Sequence, residues 1–212
     1  MPATDAKPYS KGIPAVFGRQ CCYYLLGGSL VITLLWQLAF HWHAETFHEG
    51  GPVENLQLAE LLLAGGLFGL AALRRKEFSF VAWLLGGLCL FAACRELDNL
   101  FDRLLPVVGW KFGGLFALIP AVLAIRRRRA FFAQACAFMQ TTACAMMFAA
   151  FLLIVPLAQG IGHKVFLAQL MPDAGHYGAI KELIEESLET VGYFVLICSA
   201  VEFLCNTRKP KE

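Results

Sequence analysis

Residues 181–193 read KELIEESLETVGY, and they place four glutamates directly before the last long apolar segment of the chain. At 100° per residue, one narrow stripe of a helix through this stretch would hold Glu182, Glu186, Glu189 and Tyr193, with Glu185 at its edge. Carboxylates are costly inside a bilayer and are usually functional there. The stretch therefore predicts a helix that carries acidic groups into a membrane.

The composition of the whole chain supports a membrane location. Of its 212 residues 58% are hydrophobic and only 16% are charged, which is far more apolar than a soluble domain of this size. A helix needs about 20 apolar residues to cross a bilayer. We predict an all-α bundle of six transmembrane helices over residues 23–205, with spans at about 23–42, 53–73, 78–94, 107–125, 138–158 and 184–205.

The basic residues indicate the orientation of this bundle. Most of them lie in residues 1–22, after the second span at 74–76, after the fourth span at 126–129, or in the tail at 206–212. Cytoplasmic segments carry the excess of Lys and Arg. The pattern predicts a multi-pass protein of the bacterial inner membrane with both termini in the cytoplasm (N-in/C-in). Beside a span, the four arginines at 126–129 indicate topology, so we expect the lipid bilayer and no nucleic acid as a partner.

Polar side chains gather at the outer ends of four of the six predicted helices. Helical spacing places them on one face of each helix, at a similar depth. Such a convergence predicts an outward-facing pocket. Its expected members are His41, Glu54, Glu60, Arg95, Asp98, Asp102, Glu182, Glu185 and Tyr193.

Four residues beside this pocket are candidate ligands of a divalent metal. Glu45-x-x-His48 has the helical spacing that lets both side chains reach one ion, and Glu186 and Glu189 could complete the site. Imidazole and carboxylate ligands suit zinc, iron or manganese. A carboxylate-bridged di-iron site would need a second E-x-x-H, which the sequence lacks.

Three functions remain open from these residues. The one we favour is the binding of a cation, either a metal or a proton, for transport or sensing. The second is a metal-dependent membrane hydrolase of a lipid or lipid-linked substrate, in which the metal activates water and a glutamate acts as base. The third is a non-enzymatic accessory protein, in which Arg95 pairs with Glu60 or Glu189 to hold the helices together.

Small residues mark possible helix contacts. The fifth predicted helix could begin before its span, at Phe131. A ridge along it would be formed by Ala133, Ala137, Thr141, Ala145 and Ala149, which recur every four residues. Small-residue ridges let helices approach closely. The ridge could face the bundle interior, a second copy of the chain or another membrane protein.

Three motifs carry a resemblance. Gly51-Pro52-Val53-Glu54-Asn55, the RELD motif at 95–98 and the EESLExxGY motif at 185–193 together resemble a group of small bacterial polytopic inner-membrane proteins that has no assigned activity. Residues 49–55 are also similar to the acidic start of an early span in the alkaline ceramidase superfamily of membrane-embedded zinc amidases. This chain differs from that superfamily, because it has six predicted spans instead of seven and no histidine pair in its last span. The second likeness implies an outward-facing hydrolase.

Overall fold

A computed structural model of the protein describes residues 13–40, 51–161, 163, 169 and 177–205, and all regular structure in these residues is helical. The all-α prediction is therefore confirmed. The helices are α1 (Ile13–Phe40), α2 (Pro52–Arg74), α3 (Ser79–Glu96), α4 (Asp98–Leu104), α5 (Gly114–Arg126), α6 (Arg128–Met139), α7 (Thr142–Leu152), α8 (Ala158–Ile161) and α9 (Tyr177–Cys205). Short 3-10 helices cover Lys76–Phe78 and Gly109–Gly113, and a π-helical turn, Leu153–Leu157, joins α7 to α8.

Five segments of the described chain are long and apolar enough to cross a membrane. They are Pro52–Arg74, Lys76–Glu96, Gly109–Arg126, Thr142–Ile161 and Ile180–Cys205, and they correspond to the second to sixth predicted spans. These segments are compatible with a multi-pass membrane protein. Helix α1 contains most of the first predicted span but is not among the five. The count of six spans and the N-in/C-in orientation therefore stay predictions.

The chain divides into two compact units, residues 1–41 and 42–212. In the first, α1 is one helix of 28 residues in which the Ser29 and Thr33 hydroxyls each donate a hydrogen bond to the backbone oxygen four residues earlier. In the second, α2 packs against both α3 and α9. The Phe203 ring of α9 contacts three other rings edge-on, with centroid distances of 5.8 Å to Phe68, 5.7 Å to Phe78 and 5.2 Å to Phe138. This aromatic cluster holds one end of the bundle together.

The third span does not continue as one helix past its end. Helix α3 ends at Glu96, Leu97 leaves helical geometry (φ −100°, ψ 26°), and α4 starts at Asp98. The expectation that Arg95, Asp98 and Asp102 share a continuous helical face is wrong for this reason. Asp102 instead lies against Gly109, whose positive φ of 58° and lack of a side chain allow the close approach.

The fifth predicted span is also interrupted. Thr141 adopts an extended conformation (φ −104°, ψ 152°), and its hydroxyl accepts a 3.2 Å hydrogen bond from the Cys144 amide, so it caps the start of α7. The predicted ridge is therefore split between α6 and α7, and its four alanines are exposed in the described residues. The Gln134 side chain of α6 accepts a 2.9 Å hydrogen bond from the Phe80 amide, which places α6 against the N-terminus of α3.

Candidate functional site

A buried glutamine joins α2 to the acidic stripe of α9. The Gln57 side chain is fully buried, and its Nε2 lies 3.0 Å from the Glu186 backbone oxygen, 2.7 Å from Glu186 Oε2 and 3.2 Å from Thr190 Oγ1. The Thr190 hydroxyl donates its own proton to the Glu186 backbone oxygen at 2.7 Å. Because Nε2 faces these acceptors, the orientation of the amide is fixed, and its oxygen points elsewhere.

One turn further along α9, an ion-pair network joins α9 to α3. Arg95 Nη2 lies 3.2 Å from Glu189 Oε2 and 3.3 Å from Glu96 Oε1, while the Tyr193 hydroxyl donates a 2.9 Å hydrogen bond to the same Glu96 oxygen. Both carboxylates are buried, whereas 46% of the Arg95 side chain is exposed. The guanidinium therefore neutralises buried acids from the edge of the bundle.

A polar cavity of 350 Å³ is lined by Gln159, His163, Lys181 and Glu185. Lys181 forms an ion pair with Glu185 one turn along α9. Gln159 also donates a 3.3 Å hydrogen bond to Glu189 Oε1. Gln159 therefore belongs to both the cavity wall and the network.

Glu60 lies one turn below Gln57 on α2 and is only 7% exposed. Its Oε2 atom has no hydrogen-bond donor among the described residues, and neither has Oε1 of Gln57. A buried oxygen without a donor costs about 1–3 kcal/mol, and more if it is charged. Two such atoms on the same face of one helix mark a place where a donor or a cation would be stabilised.

The predicted pocket residues divide into three groups. In the first group, Arg95, Glu189 and Tyr193 belong to the network, Glu185 lines the cavity, and Glu186 and Glu60 lie beside Gln57. Glu54 is half-buried in the first turn of α2, Glu182 is exposed on α9, and Asp98 and Asp102 are carried by α4. His41, Glu45 and His48 lie outside the described residues.

The predicted metal site is half outside the described chain, because Glu45 and His48 belong to residues 41–50. Within the described ranges, no group of three or more His, Cys, Asp or Glu side chains is arranged to hold a metal ion. Glu186 and Glu189 instead receive hydrogen bonds from Gln57 and from Arg95 with Gln159. The metal site stays a prediction.

The residues predicted from the sequence did not include Glu96, Thr190 and Gln159, which contact the predicted glutamates or Arg95. Glu96 is adjacent to Arg95 in the chain, and Thr190 follows Glu186 by one helical turn. Both therefore had a local signal, which is closeness along the helix to a predicted residue. Gln159 had none, because its position depends on how the π-helical turn directs α8 towards α9. Comparisons of the chain with family models, curated proteins and solved structures found no match. Its function must therefore be argued from the site.

Proposed function

We propose that this protein is an integral membrane protein that binds a cation in an outward-facing pocket of glutamates, for transport or sensing. The proton is the first candidate, because it needs no ligands beyond the described carboxylates. A divalent metal is the second, and it would require Glu45 and His48 to join Glu186 and Glu189.

The observation that carries the proposal is the excess of buried acids over bases among the described residues of the site. The side chains of Glu60, Glu96, Glu186 and Glu189 are mostly buried on α2, α3 and α9, and the cation paired with two of them is Arg95. Ionised carboxylates without a partner are strongly disfavoured at low dielectric. The cluster is stable only if protons or another cation supply the missing positive charge.

The ion pairs and hydrogen bonds of these glutamates favour cation binding over a purely structural role. Arg95 joins Glu189 and Glu96 in a way that stabilises the helices, as the accessory-protein hypothesis requires. Glu60 is different, since one of its oxygens lacks a donor among the described residues. A residue retained only for stability would be expected to have its hydrogen bonds made. Glu60 and Glu186 are therefore the proposed exchanging groups, and the cavity at Gln159 is the proposed route to them.

The test compares Glu60→Gln with Glu77→Gln. Glu77 lies in the 3-10 helix that follows α2, is paired with Arg75 and is 41% exposed. Both variants are reconstituted in nanodiscs. Infrared difference spectroscopy reports protonated carboxyl groups, and elemental analysis reports bound metal. We expect a protonated-carboxyl band that is lost in Glu60→Gln and retained in Glu77→Gln.

A metal-binding protein would give a different result. It would hold a stoichiometric amount of metal, and the Glu186→Gln variant would lose that metal. The bound cation would then be the metal instead of the proton. If neither a protonated carboxyl group nor a metal depends on Glu60 or Glu186, the proposal is wrong and the cluster is structural.

A further inference from the structure

A second concave surface lies away from the acidic network. It is an apolar furrow of 460 Å³ between α2, α3 and α5, and its lining includes Gly65, Gly69, Gly86 and Gly87 together with Trp83 and Leu123. All of these residues belong to segments that are apolar enough to span a membrane. The furrow therefore opens at the depth of the lipid chains.

The furrow exists because glycines bring the backbones of neighbouring helices close together without side chains to fill the surface. A Cβ on Gly86 would lie 3.3 Å from the Gly65 backbone oxygen, and one on Gly87 would collide with the Phe116 backbone oxygen. The packing of Gly113 on Cys94 and of Gly87 on Phe116 shows that α3 and α5 run antiparallel. Leu123 is therefore at the same end of the furrow as Ser79.

That end of the furrow is strongly basic. Helix α5 ends at Arg126, three residues after Leu123, and α6 begins at Arg128, while Lys76 begins the 3-10 helix that leads into α3. The side chains of Lys76 and of Arg126 to Arg129 are exposed. The nearby acid Glu77 is paired with Arg75. The hydrogen bond between Gln134 and Phe80 holds α6 beside this end.

We propose that the furrow binds one anionic glycerophospholipid, with an acyl chain along the glycine-lined surface and the phosphate on the basic end. Basic pockets between transmembrane helices suit anionic head groups, and each Lys or Arg near a membrane surface adds about 1 kcal/mol of attraction. An apolar channel that ends in exposed cations matches the two parts of such a lipid. The site is separate from the acidic network and does not depend on the function proposed for it.

The first arm of the test fills the furrow. A Cβ on Gly69 meets no atom within 4 Å, so Gly69→Leu should place its side chain in the furrow without disturbing the protein. Gly66 is the matched control, since it lies on the same helix with the same open space but does not line the furrow. Protein is released from nanodiscs of phosphatidylglycerol and phosphatidylcholine, and native mass spectrometry counts the retained lipid. We expect Gly66→Leu to keep one phosphatidylglycerol and Gly69→Leu to lose it.

The second arm removes charge and leaves the furrow intact. Arg126→Gln and Lys76→Gln should each weaken phosphatidylglycerol retention about fivefold, while Arg103→Gln, on α4 at the opposite end of α3, should not. Equal lipid retention by Gly69→Leu and Gly66→Leu would overturn the site. A different result would overturn the assignment of an anionic lipid: phosphatidylcholine retained as well as phosphatidylglycerol, lost in Gly69→Leu, and unaffected by the charge variants. A melting temperature like that of the native protein in lipid-free detergent shows that the variants are folded.

Discussion

Arg95 illustrates how much of this site depends on single side chains. Its guanidinium pairs with Glu189, which was one of two partners that the sequence allowed, and with Glu96, which the sequence analysis did not consider. Glu60, the other allowed partner, lies next to Gln57 on α2. The spacing of residues along α9 could predict which carboxylates share a face. It could not predict which of them the arginine reaches, because that choice depends on how α3 and α9 are rotated against each other.

At the residue scale, Tyr193→Phe tests whether the Glu96 carboxylate depends on its hydroxyl donor. The Tyr193 hydroxyl is buried and lies 2.9 Å from Glu96 Oε1, so its removal leaves a buried acid with one donor fewer. Hydrogen bonds to charged groups contribute about 1.5–3 kcal/mol. We expect a loss of that size in the free energy of unfolding, seen as a lower melting temperature in detergent.

The matched control for that variant is Tyr24→Phe. The Tyr24 side chain is 81% exposed on α1, so the loss of its hydroxyl should leave the melting temperature unchanged. Equal melting temperatures for Tyr193→Phe and the native protein would mean that Arg95 alone satisfies Glu96.

At the scale of elements, hydropathy predicted where the apolar segments lie but not where the helices break. The breaks at Leu97 and Thr141 come from local backbone geometry, and at Thr141 from a side-chain cap on α7. Thr141 was counted as a small residue in a ridge, although threonine is also a frequent N-cap residue. Where a residue suits both roles, an apolar pattern alone cannot choose between them.

The glycines give a prediction at this scale. In Gly87→Ala the new methyl group would meet the Phe116 backbone oxygen, which α5 cannot move away without losing its packing on α3. Overpacking of this kind costs about 1–3 kcal/mol. Gly66→Ala meets no atom within 4 Å and removes a flexible residue from a helix, so it should stabilise the protein by up to about 1 kcal/mol. Thermal unfolding in detergent compares the two variants, and a Gly87→Ala protein at least as stable as Gly66→Ala would contradict the close contact of α3 and α5.

For the whole molecule, the sequence predicted the class of protein and the convergence of acidic groups, because both follow from composition and helical spacing. The contacts that build the site could not be predicted from the sequence. Gln57 and Glu186 are 129 residues apart in the chain and meet only because α2 packs against α9. The furrow is likewise a product of three helices, since no one of its glycines indicates a cavity by itself.

The topology supplies the prediction at this scale. Six spans place both termini on the same side of the membrane, whereas the five described spans alone would place them on opposite sides. The basic residues at 1–22, 74–76, 126–129 and 206–212 all fall on one side only if α1 also crosses. We therefore expect green fluorescent protein to fluoresce, and alkaline phosphatase to be inactive, when fused to either terminus. Alkaline phosphatase fused after residue 106, between the third and fourth predicted spans, should be active and serves as the control. Termini on opposite sides would show that α1 does not cross the membrane. The fusion at residue 106 would then show which side of the membrane the pocket between α2, α3 and α9 faces.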